Sequence, residues 1–247
     1  MPRVDSACGR YSYLGILKVL ARRLRWCTPV VSALLITGCA SGTNPYASSV
    51  RMVAALWSGD YPDNVPPAPD LQYAYLRVDF DDRPPGIIAL GYRDPDEVEV
   101  WYSSTQQVFK MQRGRLVSVL GMSDNWTAVR FSPEVPDLTQ DLSAPVHYRR
   151  SRDEMPGYRY GVADMLTAER WAGQGLPPVR LPRVVPEAKA RNWTWYRERS
   201  EGLSDGAALP DAWYAVGQHR GARTVVFSQQ CMRQDLCIRF TRWPLVD

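Results

Sequence analysis

Four sets of residues in this chain have the types and spacing to do chemistry. Two acidic clusters, Asp79-Asp81-Asp82 and Asp94-Asp96-Glu97, offer the paired carboxylates that glycoside hydrolysis uses as acid and base or nucleophile. Both lie beside Pro and Gly in turns, where acids are ordinarily solvated, so a hydrolase requires Asp79, Asp82 and Asp94 to meet in one cleft. The only histidines, His147 and His219, have no Gly-x-Ser-x-Gly elbow to serve and no ligand spacing with cysteine, which argues against a Ser-His-Asp site and against a metal. There is no glycine-rich phosphate loop, so no cofactor is expected. Cys231 and Cys237 are spaced to pair, and closing so short a loop adds about 2 kcal/mol on a chain-entropy argument. Trp193-Thr194-Trp195 puts two indoles on one face of a strand with Arg197 beyond them. That face is either core or a platform for stacking on sugar rings, and Trp193, Trp195 and Arg197 are the candidate glycan-binding residues.

The fourth set is a leader. Arg22-Arg23-Leu24-Arg25 precedes an apolar run from Trp26 through Ile36 and then Thr37-Gly38-Cys39, the order of a secretory signal. The run is about a dozen residues where roughly 20 are needed to span a bilayer, so cleavage is expected rather than a permanent span. Ile36-Thr37-Gly38-Cys39 resembles a bacterial lipobox, in which the thiol is alkylated by diacylglycerol and the chain is cut just before it. Residues 1–38 then form the signal peptide, Cys39 becomes the lipidated first residue, and 39–46 a short tether. Each buried acyl methylene contributes about 0.8 kcal/mol, so two or three chains give a durable anchor. Ala40-Ser41 lacks the Asp associated with inner-membrane retention, which favours the outer membrane, facing the periplasm. In that oxidising compartment the Cys231–Cys237 pairing is favoured.

Charge supports this partition. Six basic residues stand against one acid before residue 39, leaving 24 basic and 25 acidic groups in the remainder. A nucleic-acid binder would carry its basic excess on the folded domain, so that partner is excluded.

The elements that must position these groups read as strands. After a helix over Ala47–Trp57, prolines break the chain. Short runs of aromatic and branched residues then recur at 71–78, 87–92, 98–102, 107–111, 116–120 and 126–131. Arg113-Gly114 reads as a hairpin turn. Ser132–Pro145, with three prolines and several acids, reads as a surface loop. Strands resume at 146–152, 158–164, 192–199, 213–216, 223–228 and 236–243, and Met165–Trp171 reads as a helix. About a dozen short strands predict a mainly β fold, an antiparallel sandwich or open barrel with minor helices, as one domain over 47–247.

The ordered set of lipobox, short helix, Tyr73-Ala74-Tyr75-Leu76-Arg77-Val78, Ala89-Leu90-Gly91-Tyr92, the hairpin from Val108 to Val117, and the pair Trp213-Tyr214-Ala215-Val216 with 223–229 resembles the group 4 capsule polysaccharide lipoprotein family (GfcB/YjbF type). The long basic leader, the 132–145 loop and the Cys231/Cys237 pair depart from it. The resemblance implies a non-enzymatic periplasmic lipoprotein, held on the membrane through Cys39. It assists production or export of an extracellular polysaccharide, either by binding the glycan or by scaffolding export proteins through sheet edges or loops. A polysaccharide-modifying hydrolase is the competing expectation.

Overall fold

A computed structural model describes residues 73–94, 96–203 and 208–245. The signal segment, Cys39, the tether and the expected helix at 47–57 lie outside them.

Twelve antiparallel strands follow one another around a single closed sheet: β1 (Tyr75–Asp79), β2 (Gly86–Arg93), β3 (Val98–Ser103), β4 (Val108–Gln112), β5 (Arg115–Leu120), β6 (Asn125–Ser132), β7 (Val146–Met155), β8 (Arg159–Arg170), β9 (Thr194–Gly202), β10 (Ala212–His219), β11 (Ala222–Arg233) and β12 (Leu236–Trp243). Each strand pairs with its sequence neighbours, and β12 closes on β1 in the register Tyr75↔Trp243 to Asp79↔Arg239. All twelve expected strands are present. The expected helix at 165–171 is not: Met165, Leu166 and Ala168 are helix formers locally, but the segment is hydrogen-bonded to β7 on one side and β9 on the other, which overrides propensity.

Alternation and register decide which side chains face the lumen. Tyr148, Leu166, Glu198 and Tyr214 fall on one face of β7–β10, whereas exposed His147, Arg149, Arg199 and Glu201 fall on the other. The outer face of these strands is charged, unlike the apolar band that a lipid-embedded barrel presents outward. Phe109 of β4 meets Phe240 of β12 at 5.5 Å between ring centres, although four strand steps separate them around the sheet. Gln230 of β11 goes further: its Oε1 accepts from the Leu116 backbone N–H of β5 at 2.9 Å, and its Nε2 donates to the Gly114 carbonyl at 3.0 Å. β5 and β11 are six steps apart, on opposite walls, so the barrel is flattened until its walls touch. A round barrel of this strand number would leave a central void; here side chains fill the space.

Arg113 and Gly114 turn the β4–β5 hairpin with φ of 48° and 82°, the left-handed pair of a type I′ turn. Gly114 is required twice over, because a Cβ there would stand 2.8 Å from the Val225 side chain of the opposite wall.

The 132–145 segment is not a surface loop. Val135 and Leu138 are each 1% exposed. Val135 packs with Tyr148, Leu166 and Ala168, and Leu138 with Tyr196, Tyr214 and Val216. The segment is a plug in the mouth of the barrel, the end that holds the β4–β5 turn and the start of β1. Its apolar residues are isolated among Pro136, Asp137 and Thr139, with no period to betray them. A second connection, 171–193, covers the outer face of β9–β11 and contains the one helical turn among the described residues, α1 (Glu187–Arg191). At the other end, Cys231 and Cys237 are register partners in the β11–β12 hairpin and are joined as a disulfide.

Leu138→Ala therefore removes a core side chain. We expect a loss of about 2–4 kcal/mol in urea unfolding, where a surface-loop residue would change stability by no more than about 0.5 kcal/mol.

Candidate functional site

The carboxylates singled out for hydrolysis do not converge. Asp79 is clamped by its strand neighbour Arg77, with Arg77 Nη2 2.7 Å from Asp79 Oδ1. Asp82 pairs with Arg83 in the β1–β2 loop, and this hydrogen bond is the main cause that holds its carboxyl below the usual range. Asp94 accepts the Val98 N–H in the β2–β3 turn. β2 lies between the last two, and its eight residues hold them about 26 Å apart. The hydrolase expectation falls with that separation.

The Trp193–Trp195 face is core. The two indoles are 8% and 5% exposed, lie 5.9 Å apart, and are covered by Val185 and Ala190 of the 171–193 connection. Trp195 Nε1 donates to the Ala190 carbonyl at 2.9 Å. Arg197 shares the outer face but is taken by Glu169, with Asp211 at 3.8 Å. A sugar cannot stack on indole faces packed in this way, so the platform reading of these three residues is corrected: alternation put them on one face, and the cover made that face interior.

Inside the barrel lies a polar network that sequence reading missed. Arg115 of β5 reaches across the lumen to Glu198 of β9, Nε to Oε2 at 2.7 Å, and Arg115 Nη1 donates to the plug carbonyl of Pro136 at 3.0 Å. Tyr148 and Tyr214 both donate to Glu198, the latter at 3.3 Å. Burial, then the Glu198 charge, pushes both phenols well up, so they remain donors. Burial alone would lower the Arg115 guanidinium, but Tyr148, Glu198 and Tyr214 outweigh it and shift it upward. Deeper in, Arg150 and Arg152 share Asp164 and stack over the Trp126 ring at 4.9 and 4.7 Å. Burial and the neighbouring Arg150 charge lower Arg152. Arg115, Arg152, Asp164 and Glu198 are at most 3% exposed, so these groups fasten walls rather than meet substrate. Arg150 and Arg152, alternating with Tyr148 on a strand, were the one available signal.

Open polar space lies at the mouth. One depression of about 480 Å³ is bounded by Arg242, Thr224, the plug residues Asp137 and Gln140, and the two turns that carry Glu97 and Arg113. A second, about 760 Å³, begins at the same Glu97 and Arg113 and runs along Lys110, Ser118 and Ala128. The two adjoin at Glu97 and Arg113 and make a furrow that starts at the mouth and continues on the outer wall over β4–β6. Its second half lies where β5 and β6 diverge, since their register holds only Val119↔Trp126. Of the six non-glycine residues with positive φ among the described residues, Glu97, Arg113 and Ala128 line the furrow. Such conformations are strained and gather at functional sites.

Neighbouring groups hold the furrow rigid. Glu99 accepts from Arg242 at 3.0 Å and from Arg93 at 2.9 Å, and Arg113 pairs with Glu134 at 2.6 Å. Arg113 Nη1 also donates to the Val135 carbonyl at 2.8 Å. Burial would raise the Asp137 carboxyl, but hydrogen bonds from Thr139 and the Arg113 charge hold it below the usual range. Donors and carboxylate acceptors thus stand side by side along an open track, the arrangement that matches a polymer of vicinal hydroxyls, which donate and accept alike.

Removing one partner of the lumen pair strands a buried charge. Glu198→Gln should lower unfolding free energy by about 3 kcal/mol in urea, whereas Arg115→Met combined with Glu198→Leu should recover much of it.

Residues 68–175 match the family described as group 4 capsule polysaccharide lipoprotein gfcB, YjbF, a stretch that runs through β1–β8 and includes the plug. The resemblance read from the residues holds over that stretch. The crystal structure of the hypothetical lipoprotein YmcC from Escherichia coli (K12) has a similar fold, with a TM-score of 0.55 at 13% identity over 82% of this chain and 98% of that one. No curated protein sequence matches the chain.

Proposed function

We propose that this chain, which carries the group 4 capsule polysaccharide lipoprotein segment at residues 68–175, is a non-enzymatic lipoprotein. It is anchored through Cys39 on the periplasmic face of the outer membrane, where it handles an extracellular or capsular polysaccharide during production or export. The family match supports the process. The mechanism rests on one observation, the charged furrow that runs from the barrel mouth along the outer wall of β4–β6. It is open along its length, as a chain-like ligand needs, and Arg93, Glu99, Arg113 and Arg242 are fixed by ion pairs before binding, which reduces the ordering cost of capture. Within it, Glu97 and Lys110 have no side-chain partner among the described residues, so both are available to sugar hydroxyls.

The anchor is tested in cells. Cys39→Ala should abolish fatty-acid labelling and release the protein from membranes; a variant that stays membrane-bound and a wild type that never takes label would sink this part.

Glycan handling is tested on the full chain in detergent, titrated with the host's purified polysaccharide by tryptophan fluorescence. Trp101, under the Arg242 guanidinium at 5.2 Å, is a reporter beneath the furrow. We expect a saturable change that weakens at least tenfold in Glu97→Gln/Lys110→Ala. Binding unaltered in that variant would remove the furrow from the proposal. Absence of any binding would favour a scaffold and direct attention to crosslinking.

A further inference from the structure

The mouth furrow carries both signs of charge, four basic and six acidic side chains. A second concavity carries basic ones alone. Between the start of the 171–193 connection and the end of α1 lies a cleft of about 460 Å³, within the range that holds one or a few sugar rings. Arg170, Arg191 and Asn192 are among the residues that line it, and no Asp or Glu is. Arg191 reaches Glu187 at 3.3 Å across an exposed helical turn, a weak pair. The Arg170 side chain has no carboxylate or hydrogen-bond partner among the described residues.

The back of the cleft is aromatic and fixed. Trp171 is T-stacked on Trp213 at 5.2 Å and lies beneath the Arg197 guanidinium at 5.9 Å. Its six-membered ring lies so close to Gly173 that a Cβ there would be 2.1 Å from Cζ2. Trp193 lies similarly against Gly217, where a Cβ would meet Cδ1 at 2.6 Å. Both indoles are thus seated on bare backbone. The Trp193 and Trp195 edges border the same space. The aromatic pair singled out in the sequence thus contributes a wall rather than a stacking platform.

Two guanidinium groups, an amide side chain and no carboxylate select an anion with a ring to set against apolar walls. We propose that this cleft is a subsite for an acidic sugar residue: the ring carboxylate is held by Arg170 and Arg191, a hydroxyl by the Asn192 amide, and the ring lies against Trp171 and Leu176. The inference rests on the glycan-handling reading and adds its ligand class: the polymer carries carboxylated residues, which are gripped outside the barrel while the neutral stretch crosses the furrow.

The test is calorimetric titration of the full chain in detergent with a trimer of galacturonic acid and with its methyl-esterified, uncharged form. The acid is expected to bind in the millimolar range or better, at least tenfold tighter than the ester, and to weaken as salt is raised. Arg170→Gln should cost at least fivefold. Gly173→Ala, which displaces the Trp171 ring without touching either arginine, should do the same. Equal affinity for acid and ester, insensitivity to Arg170→Gln, displacement by inorganic phosphate at matching concentration, or no binding of either trimer would each overturn the acidic subsite. The whole-polymer titration decides the furrow separately, so a failed cleft and a failed glycan reading give different results.

Discussion

Contact between opposite walls of the barrel is the constraint on which the rest of the structure depends. Gln230 on β11 holds both the Leu116 N–H and the Gly114 carbonyl of the β4–β5 hairpin, six strands away around the sheet. That approach is possible only because residue 114 has no side chain facing Val225. Once the walls meet, the lumen is small enough to be filled by rows such as Trp101, Phe109, Ile238 and Phe240, and twelve strands can enclose a packed core instead of a pore. The Arg115–Glu198 pair works differently. Desolvating two charges offsets most of their attraction, so the pair adds little net stability. Its geometric demand, with two tyrosines on one carboxylate, fixes which strands face each other.

A filled lumen sends function to the ends and the outside. The plug closes the mouth by placing Val135 and Leu138 in the core, and its polar residues Asp137, Thr139 and Gln140 are thereby turned toward solvent as part of the furrow. One segment thus completes the core on one side and builds a wall of the furrow on the other. The 171–193 connection repeats this logic on the outer wall: it buries Trp195, Ala215 and Phe227, and its first residues form the cleft at Trp171.

Much of the fold was legible because turn residues punctuate it. Arg113-Gly114 announced its hairpin, and alternating aromatic and branched residues located every strand. The errors share a cause: information that lies far away in sequence. Met165–Arg170 is helical by local preference and a strand by virtue of partners on both sides. Alternation showed that Trp193 and Trp195 share a side, but only the 171–193 cover determines that the side is buried. The lumen network joins residues 12 to 116 positions apart on different strands, so beyond the run Tyr148, Arg150, Arg152 no local pattern reports it. The candidate surfaces were missed for the same reason: Glu97, Arg113 and Gln140 belong to three different connections that meet only after the barrel closes.

Closure also bears on the choice between glycan binding and scaffolding. Docking by strand addition needs an unpaired edge, and every strand here has a neighbour on both sides. The thinnest seam is β5–β6, with its single register pair, and it opens into the furrow beside Val117, Ser118, Ala128 and Val129. A partner's strand and a polysaccharide would therefore compete for one place. Strand addition there would meet Lys110, Arg113 and Glu134 at the lips, charged groups of the kind that protect natural sheets from pairing. The same charges and backbone groups favour hydroxyl ligands. Were a scaffold partner to dock instead at the opposite end, where Tyr158 and Tyr160 stand 73% and 66% exposed at the β7–β8 turn, the furrow would stay clear for a glycan.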